Sequence, residues 1–166
     1  GGYGSVISAK NSTIILDNVT FENCFNTSRT VEQLYGGAIY AENSTTTINY
    51  ANFDSCYVSG VNGFGGAIAV VGGEFNLSGG AFVENEVNCS GNAYGGAVYA
   101  TGAEINIVCV DRGLEWTSNQ AKIGGAIALQ NCMDVNNKIA GTGALSVGFN
   151  QNRATQGNGG ALYIER

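Results

Sequence analysis

The stretch at residues 35–40, Tyr-Gly-Gly-Ala-Ile-Tyr, decides the fold of this chain because close copies of it return at a nearly constant spacing. Related hexapeptides begin at residues 64, 94, 123 and 158 and read FGGAIA, YGGAVY, IGGAIA and NGGALY. We call the first glycine of each copy the anchor glycine; the five anchors are Gly36, Gly65, Gly95, Gly124 and Gly159. Their spacings are 29, 30, 29 and 35 residues, and a divergent sixth copy starts at Gly4. A fixed period of this length is typical of a solenoid.

Two apolar columns appear when the copies are aligned on their anchors. Three residues after the anchors stand Ile7, Ile39, Ile68, Val98, Ile127 and Leu162. Five residues after them stand Ala9, Ala41, Val70, Ala100, Leu129 and Ile164. Alternate positions of a strand point to one face, so each copy is predicted to be a strand with these two columns facing the interior.

Each copy also carries an aromatic residue that is followed three positions later by asparagine or cysteine. The pairs are Phe21/Cys24, Phe53/Cys56, Phe82/Asn85, Trp116/Asn119 and Phe149/Asn152. Just before the anchors, Tyr3, Tyr35, Phe64 and Tyr94 predict an aromatic stack, and seven residues after them Asn11, Asn43 and Asn131 predict corners in the left-handed conformation.

These patterns predict an all-β fold: a single-stranded, right-handed parallel β-helix of about five to six coils, each of about 30 residues. Residues 1–166 form one repeat domain, with coils that start near residues 4, 36, 65, 95, 124 and 159. We expect it to be a piece of a longer protein, because residue 1 already lies within the repeated pattern.

The composition argues against several classes of partner. A net charge of −6 gives no basic patch for nucleic acid or for an anionic membrane. No apolar run is long enough for this segment to insert into a membrane. The absence of histidine removes the commonest general base and zinc ligand, so we expect no enzyme, no metal and no cofactor.

One acidic pair keeps an enzymatic alternative open. Glu22 and Asp54 occupy equivalent positions in adjacent copies and are predicted about 5 Å apart, a spacing that suits paired carboxylates or a calcium ligand pair. Lys10 over Glu42 is an equally regular vertical pair with a purely structural meaning. We favour a structural role for both pairs.

The five cysteines leave at least one thiol unpaired within the chain. Cys24 and Cys56 share a column of adjacent coils, where a disulfide or a stacked pair of thiols is possible. Cys109 and Cys132 form a second candidate pair, which leaves Cys89 single.

Six Asn-x-Ser/Thr sequons suggest N-glycosylation and a secreted or cell-surface protein. They begin at Asn11, Asn18, Asn26, Asn43, Asn76 and Asn88.

A column of tyrosines, Tyr40, Tyr99 and Tyr163, is the best candidate for a ligand surface, because exposed aromatic rings can stack on sugars. Alternatively, each tyrosine covers the alanine of the next coil, and we favour this second interpretation.

The combination of GGA[ILV] with F-x-x-N resembles the repeat region of chlamydial polymorphic membrane proteins, whose β-helical passenger regions are exposed on the cell surface. Similar repeats occur in other large surface proteins. The resemblance spans nearly the whole chain, although Trp116 replaces the phenylalanine and Cys24 and Cys56 replace the asparagine. It implies a surface location and an adhesive or structural role, and it supplies no catalytic residues.

We therefore expect a non-enzymatic, extracellular, glycosylated rod within a larger surface protein or filament. Its partners would be further repeats or neighbouring subunits at the open coil ends, with glycans or cell-surface receptors as further candidates. The alternative is a carbohydrate-binding or polysaccharide-degrading β-helix.

Overall fold

The computed structural model describes residues 2–166 and contains nineteen strands and no helix in that range. The strands are β1 (Ile7–Lys10), β2 (Thr13–Glu22), β3 (Phe25–Thr27), β4 (Gln33–Tyr35), β5 (Ile39–Asp54), β6 (Tyr57–Gly60), β7 (Asn62–Phe64), β8 (Ile68–Leu77), β9 (Gly80–Val83), β10 (Glu86–Cys89), β11 (Ala93–Tyr94), β12 (Val98–Cys109), β13 (Leu114–Thr117), β14 (Gln120–Ala121), β15 (Ile127–Gln130), β16 (Lys138–Gly141), β17 (Val147–Asn150), β18 (Arg153–Ala154) and β19 (Leu162–Glu165). Residues 2–166 contain no helix that is long and apolar enough to span a membrane.

The strands pair only in parallel and form a β-solenoid of about five turns, with coils of about 31 residues. This confirms the predicted parallel β-helix. The registers are the predicted ones: Ile39 pairs with both Ile7 and Ile68, and Val98 continues the column between Ile68 and Ile127. The outer rows form two smaller sheets, of order β18-β14-β10-β6-β3 and β11-β7-β4.

The corner seven residues after the anchors is left-handed in every coil that carries asparagine there. The φ angles are 50° at Asn11, 47° at Asn43 and 53° at Asn131, and glycine takes the position in the two intervening coils. Asparagine and glycine tolerate this conformation better than other residues, so the prediction from Asn11, Asn43 and Asn131 is confirmed.

A second left-handed corner lies two residues after each aromatic of the F-x-x-N motif. It is formed by Asn23, Ser55, Glu84, Ser118 and Gln151, with φ between 51° and 56°. The sequence gives no signal for this corner because four of the five residues there are neither glycine nor asparagine. The surrounding ladders hold Ser55, Glu84, Ser118 and Gln151 in a conformation that is locally unfavourable.

The paired glycines of the repeated phrase have two different roles. The anchor glycine is in the left-handed region, for example with φ of 63° at Gly36 and 70° at Gly65. The second glycine lies against the next coil: a methyl group on Gly37 would overlap the carbonyl oxygen of Gly66. The phrase therefore repeats because both backbone geometry and coil spacing exclude a side chain there.

The interior is filled by ladders of like residues. Both apolar columns are buried in the middle coils, and the aromatic rings Phe21, Phe53, Phe82, Trp116 and Phe149 stack in one line. Their successive centroid distances are 4.7, 4.8, 4.1 and 6.0 Å, with interplanar angles of 6–12°. Offset stacking of this kind stabilises neighbouring coils beyond the burial of apolar area alone.

Candidate functional site: the amide ladder, the aromatic corner and the coil ends

The asparagines of the F-x-x-N motif form a ladder of hydrogen bonds, which we call the amide ladder. The Nδ2 of Asn85 donates to the Oδ1 of Asn119 (2.9 Å), and that of Asn119 to the Oδ1 of Asn152 (2.9 Å). Each Oδ1 also accepts the backbone N–H of the preceding rung at 3.0 Å. Asn85 and Asn119 are fully buried, so these bonds satisfy polar groups that would otherwise be costly to bury.

Each amide of the ladder also closes the turn of the coil before it. Its Nδ2 donates to the carbonyl oxygen of the preceding aromatic residue: Asn119 to Phe82 at 2.8 Å, and Asn152 to Trp116 at 2.8 Å. The aromatic and the asparagine of the motif are thus coupled across coils. The motif is visible in the sequence, but this role is not, because only the stacking of coils creates it.

The amide ladder ends at Cys56, whose backbone N–H donates to the Oδ1 of Asn85 at 3.0 Å. Cys24 and Cys56 take the equivalent positions in the first two coils, where thiols replace the amides. The structure brings these two cysteines together as free thiols. Burial raises the pKa of the Cys56 thiol to about 12, which keeps it protonated at neutral pH. The Cys24–Cys56 disulfide remains a prediction for an oxidising compartment.

The structure does not bring together the second predicted pair: Cys109 ends β12, whereas Cys132 follows β15 and lies beside the start of β12. The Sγ of Cys132 is 3.6 Å from the carbonyl oxygen of Ala100, near the start of this strand. The Sγ of Cys109 contacts the carbonyl oxygen of Ser146 at 3.5 Å, nine positions further along. Both thiols are free, as is that of Cys89, and the separation along β12 far exceeds the range of a disulfide.

The tyrosine column does not form an exposed ligand surface. The rings of Tyr40 and Tyr99 are only 6% exposed. The predicted stack of Tyr3, Tyr35, Phe64 and Tyr94 folds over them: the Tyr40 ring lies 4.5 Å from Tyr3, and the Tyr99 ring 4.9 Å from Phe64. We call this cluster the aromatic corner. Tyr40 and Tyr99 are therefore unable to stack on a sugar in this structure.

Each tyrosine lies over an alanine of a neighbouring coil, as the second interpretation of the tyrosine column predicts. Tyr40 and Tyr99 flank Ala69, and Tyr99 and Tyr163 flank Ala128. Burial raises the pKa of Tyr99 to about 12 and also raises that of Tyr40, whose hydroxyl donates to Glu42 at 3.0 Å. Tyr163, in the last coil, remains half-buried.

The vertical ion pair between Lys10 and Glu42 forms as predicted, with 2.7 Å between Nζ and Oε1. It lowers the pKa of Glu42 and raises that of Lys10. Glu22 and Asp54 are in register on the outer face, both exposed. Within residues 2–166, no group of three or more acidic or cysteine side chains converges on a metal-sized site.

The six sequons fall into two groups by the environment of the acceptor amide. Asn11, Asn18, Asn43 and Asn88 are exposed. In contrast, the Nδ2 of Asn26 donates to the carbonyl oxygens of Gly2 and Tyr35 at 3.0 Å.

Asn76 belongs to the second group. It lies near the end of β8, and its Nδ2 donates to the Oε1 of Glu74 at 3.0 Å. Glycosylation replaces one hydrogen of Nδ2, so it would break one of the two bonds of Asn26 and leave Asn76 a single N–H for its bond to Glu74.

An open groove of about 570 Å³ lies beside the five-stranded sheet. It is lined by hydroxyl and backbone groups and one cation: Thr27, Ser28, Arg29, Ser59, Gly60, Val61 and Ser90. The sequence gives no signal for this groove, because Arg29 lies in a loop outside the aligned columns.

The last coil exposes residues that belong to interior columns. Phe149 is 37% exposed and Ile164 is 62% exposed, whereas their equivalents Phe82 and Val70 in the middle of the solenoid are fully buried. The strands β17, β18 and β19 each pair with one neighbour only, as do β1, β2 and β3 in the first coil. Edge strands of this kind are templates for further strand pairing.

Comparison of the chain with protein-family models, with curated proteins and with solved structures finds no match. The class of the molecule is thus given by its fold, a parallel β-solenoid. The resemblance to the polymorphic membrane proteins rests on the two repeated motifs alone.

Proposed function

We propose that this chain is a non-enzymatic structural or adhesive rod of an extracellular or cell-surface protein. The observation that carries the proposal is the use of nearly every repeated side chain for coil stacking. Aromatic, aliphatic and amide ladders run through the interior, and Tyr40 and Tyr99 of the tyrosine column are buried in the aromatic corner. Each coil of such a solenoid contacts only the coils next to it, so further coils can be added without altering the packing of the existing ones.

The external location is supported by the four exposed sequons and by the motif resemblance. A direct test is labelling of intact source cells with a membrane-impermeant, amine-reactive biotin. Lys10 and Lys138 are exposed and would react. We expect labelling before lysis, and a chain that is labelled only after lysis would refute the external location.

Mass spectrometry of the native protein tests the glycosylated form of the proposal. With and without glycosidase, we expect glycans at Asn11, Asn18, Asn43 and Asn88 and a bare Asn26. With and without reductant, a bridged Cys24–Cys56 peptide would show that the rod matures in an oxidising compartment. Bare asparagines at all four exposed sequons would contradict the glycoprotein proposal.

The open groove at Arg29 favours carbohydrate binding as the second candidate function. Hydroxyl groups from three coils line it, and the guanidinium is suited to a carboxylated or sulfated sugar. Glycan-array binding that is lost in Arg29→Ala but kept in Arg153→Ala would support this function. If the chain degraded a polysaccharide, the paired carboxylates Glu22 and Asp54 would be its catalytic residues. We expect no such activity, and therefore no difference in polysaccharide cleavage between the native chain and Glu22→Gln/Asp54→Asn.

A further inference from the structure

The end of the solenoid formed by the last coil carries three features that match the underside of another coil. The first is apolar: Phe149 and Ile164 continue two interior columns to the surface. In the middle of the solenoid, residues of these columns are covered by the equivalent residues of the next coil. A coil that supplied an aromatic and an aliphatic side chain in the same register would bury both.

The second feature is polar and directional. In the amide ladder, the backbone N–H and the Nδ2 of each asparagine donate to the Oδ1 of the following rung, as Asn119 does to Asn152. Asn152 is the last rung, and its Oδ1 accepts both bonds while its Nδ2 donates to Trp116. In the preceding rungs, the equivalents of its backbone N–H and of the second hydrogen of its Nδ2 are the groups that donate to the following rung. These two donors would both be satisfied by a partner coil that offers the amide oxygen of an asparagine at this position.

The third feature is the second glycine of the last anchor pair. At Gly37, Gly66, Gly96 and Gly125, a methyl group would overlap the carbonyl oxygen of the next coil, so glycine is required. At Gly160 the nearest atom to such a methyl group is the carbonyl oxygen of Asn152 at 3.9 Å. Contacts within residues 2–166 therefore do not require glycine at Gly160, and the residue fits the close approach of another coil.

The first coil of a second copy is a poor match for this surface. Cys24 stands at its ladder position, and a thiol cannot replace the amide oxygen that the donors of Asn152 select. The corner of the first coil also differs from the others, because Ser5 takes the place of the second glycine and its hydroxyl donates to the carbonyl oxygen of Gly37. Head-to-tail stacking of identical chains would thus interrupt the amide ladder.

We propose that the surface formed by Phe149, Asn152, Gly160 and Ile164 is a docking site for a β-helical coil with asparagine at the ladder position. The proposal rests on the rod function and specifies the partner that extends it. The partner is a coil of the F-x-x-N type, in preference to a second copy of this chain joined through Cys24.

The test extends the chain by one coil. Residues 73–101, which contain Phe82, Asn85, Gly96 and Ala100, are appended after Arg166, with Arg166→Asn to supply the left-handed corner. The matched control carries Asn85→Cys in the appended copy only. Both chains thus offer the same apolar columns and the same length, and they differ only in the group that meets Asn152.

We expect the backbone amide of Asn152 to exchange with solvent at least about tenfold more slowly in the asparagine extension than in the cysteine control, since each buried hydrogen bond contributes about 1 kcal/mol. The denaturant midpoint should rise in the same order. Equal exchange at Asn152 in the two chains would overturn the amide selectivity. An appended segment that remains open to protease in both chains would overturn the docking site itself.

Sedimentation of the chain without the appended segment tests whether a second copy of this chain occupies the docking site instead. We expect a monomer, and stable head-to-tail oligomers would assign this end to a second copy and overturn the proposal. None of these outcomes depends on the labelling of intact cells, so failure here is distinguishable from failure of the extracellular rod function.

Discussion

Substitution of Asn119 by alanine should be among the most damaging single changes in this protein. The side chain of Asn119 accepts two hydrogen bonds from Asn85 and donates to Asn152 and to the carbonyl oxygen of Phe82. Alanine removes all four bonds and leaves the backbone N–H of Asn85 and the carbonyl of Phe82 buried without these partners. Each such group costs about 1–3 kcal/mol, so we expect a loss of about 3–5 kcal/mol in the free energy of unfolding.

Asn88→Ala is the matched control, because Asn88 is exposed on β10. Its removal should change stability by less than about 0.5 kcal/mol. Urea unfolding followed by circular dichroism and by tryptophan fluorescence measures both, since Trp116 lies in the same coil as Asn119. A loss below about 1 kcal/mol for Asn119→Ala would refute the view that the amide ladder couples the coils.

Three further predictions concern the coil spacing, the ladder and the surface ion pair. Gly96→Ala should lower the melting temperature by at least about 10 °C, because the methyl group overlaps the carbonyl oxygen of the next coil, whereas Gly148→Ala, with open space around it, should be neutral or stabilising. Cys56→Asn should extend the amide ladder by one rung and raise the free energy of unfolding by about 1 kcal/mol, and a loss of stability would contradict the role given to the amides. The lowered pKa of Glu42 means that its pairing with Lys10 stabilises the fold above about pH 4.5 and is lost as the pH falls through the lowered value. The difference in denaturant midpoint between the native chain and Lys10→Gln should therefore vanish in acid, and a difference that persists at pH 2 would contradict the assignment.

The stability of the rod should be distributed along its axis rather than concentrated in one core. Each coil contacts only the coils before and after it, so the middle coils have two partners and the end coils one. Hydrogen exchange should accordingly be slowest around Phe53 and Phe82, which are fully buried, and faster around Phe149. The end coils are also where the interior columns reach the surface.

The sequence by itself determined the columns of like side chains that repeat at the distance of one coil. The period, the interior columns and the register of Ile39 between Ile7 and Ile68 follow from it. Equivalent residues in successive coils stack directly, so a column in the alignment is a column in space. The left-handed corners at Asn11 and Asn43 were predictable for a different reason, since their backbone preference is local.

Only the tertiary structure decided how the faces of one coil meet each other. The burial of Tyr40 and Tyr99 depends on the aromatic corner folding over them. The left-handed corner at Ser55 and Glu84 has no local signal at all. These features depend on the angles at which strands turn within a coil, and those angles are fixed by packing between residues that no repeat brings into the same column.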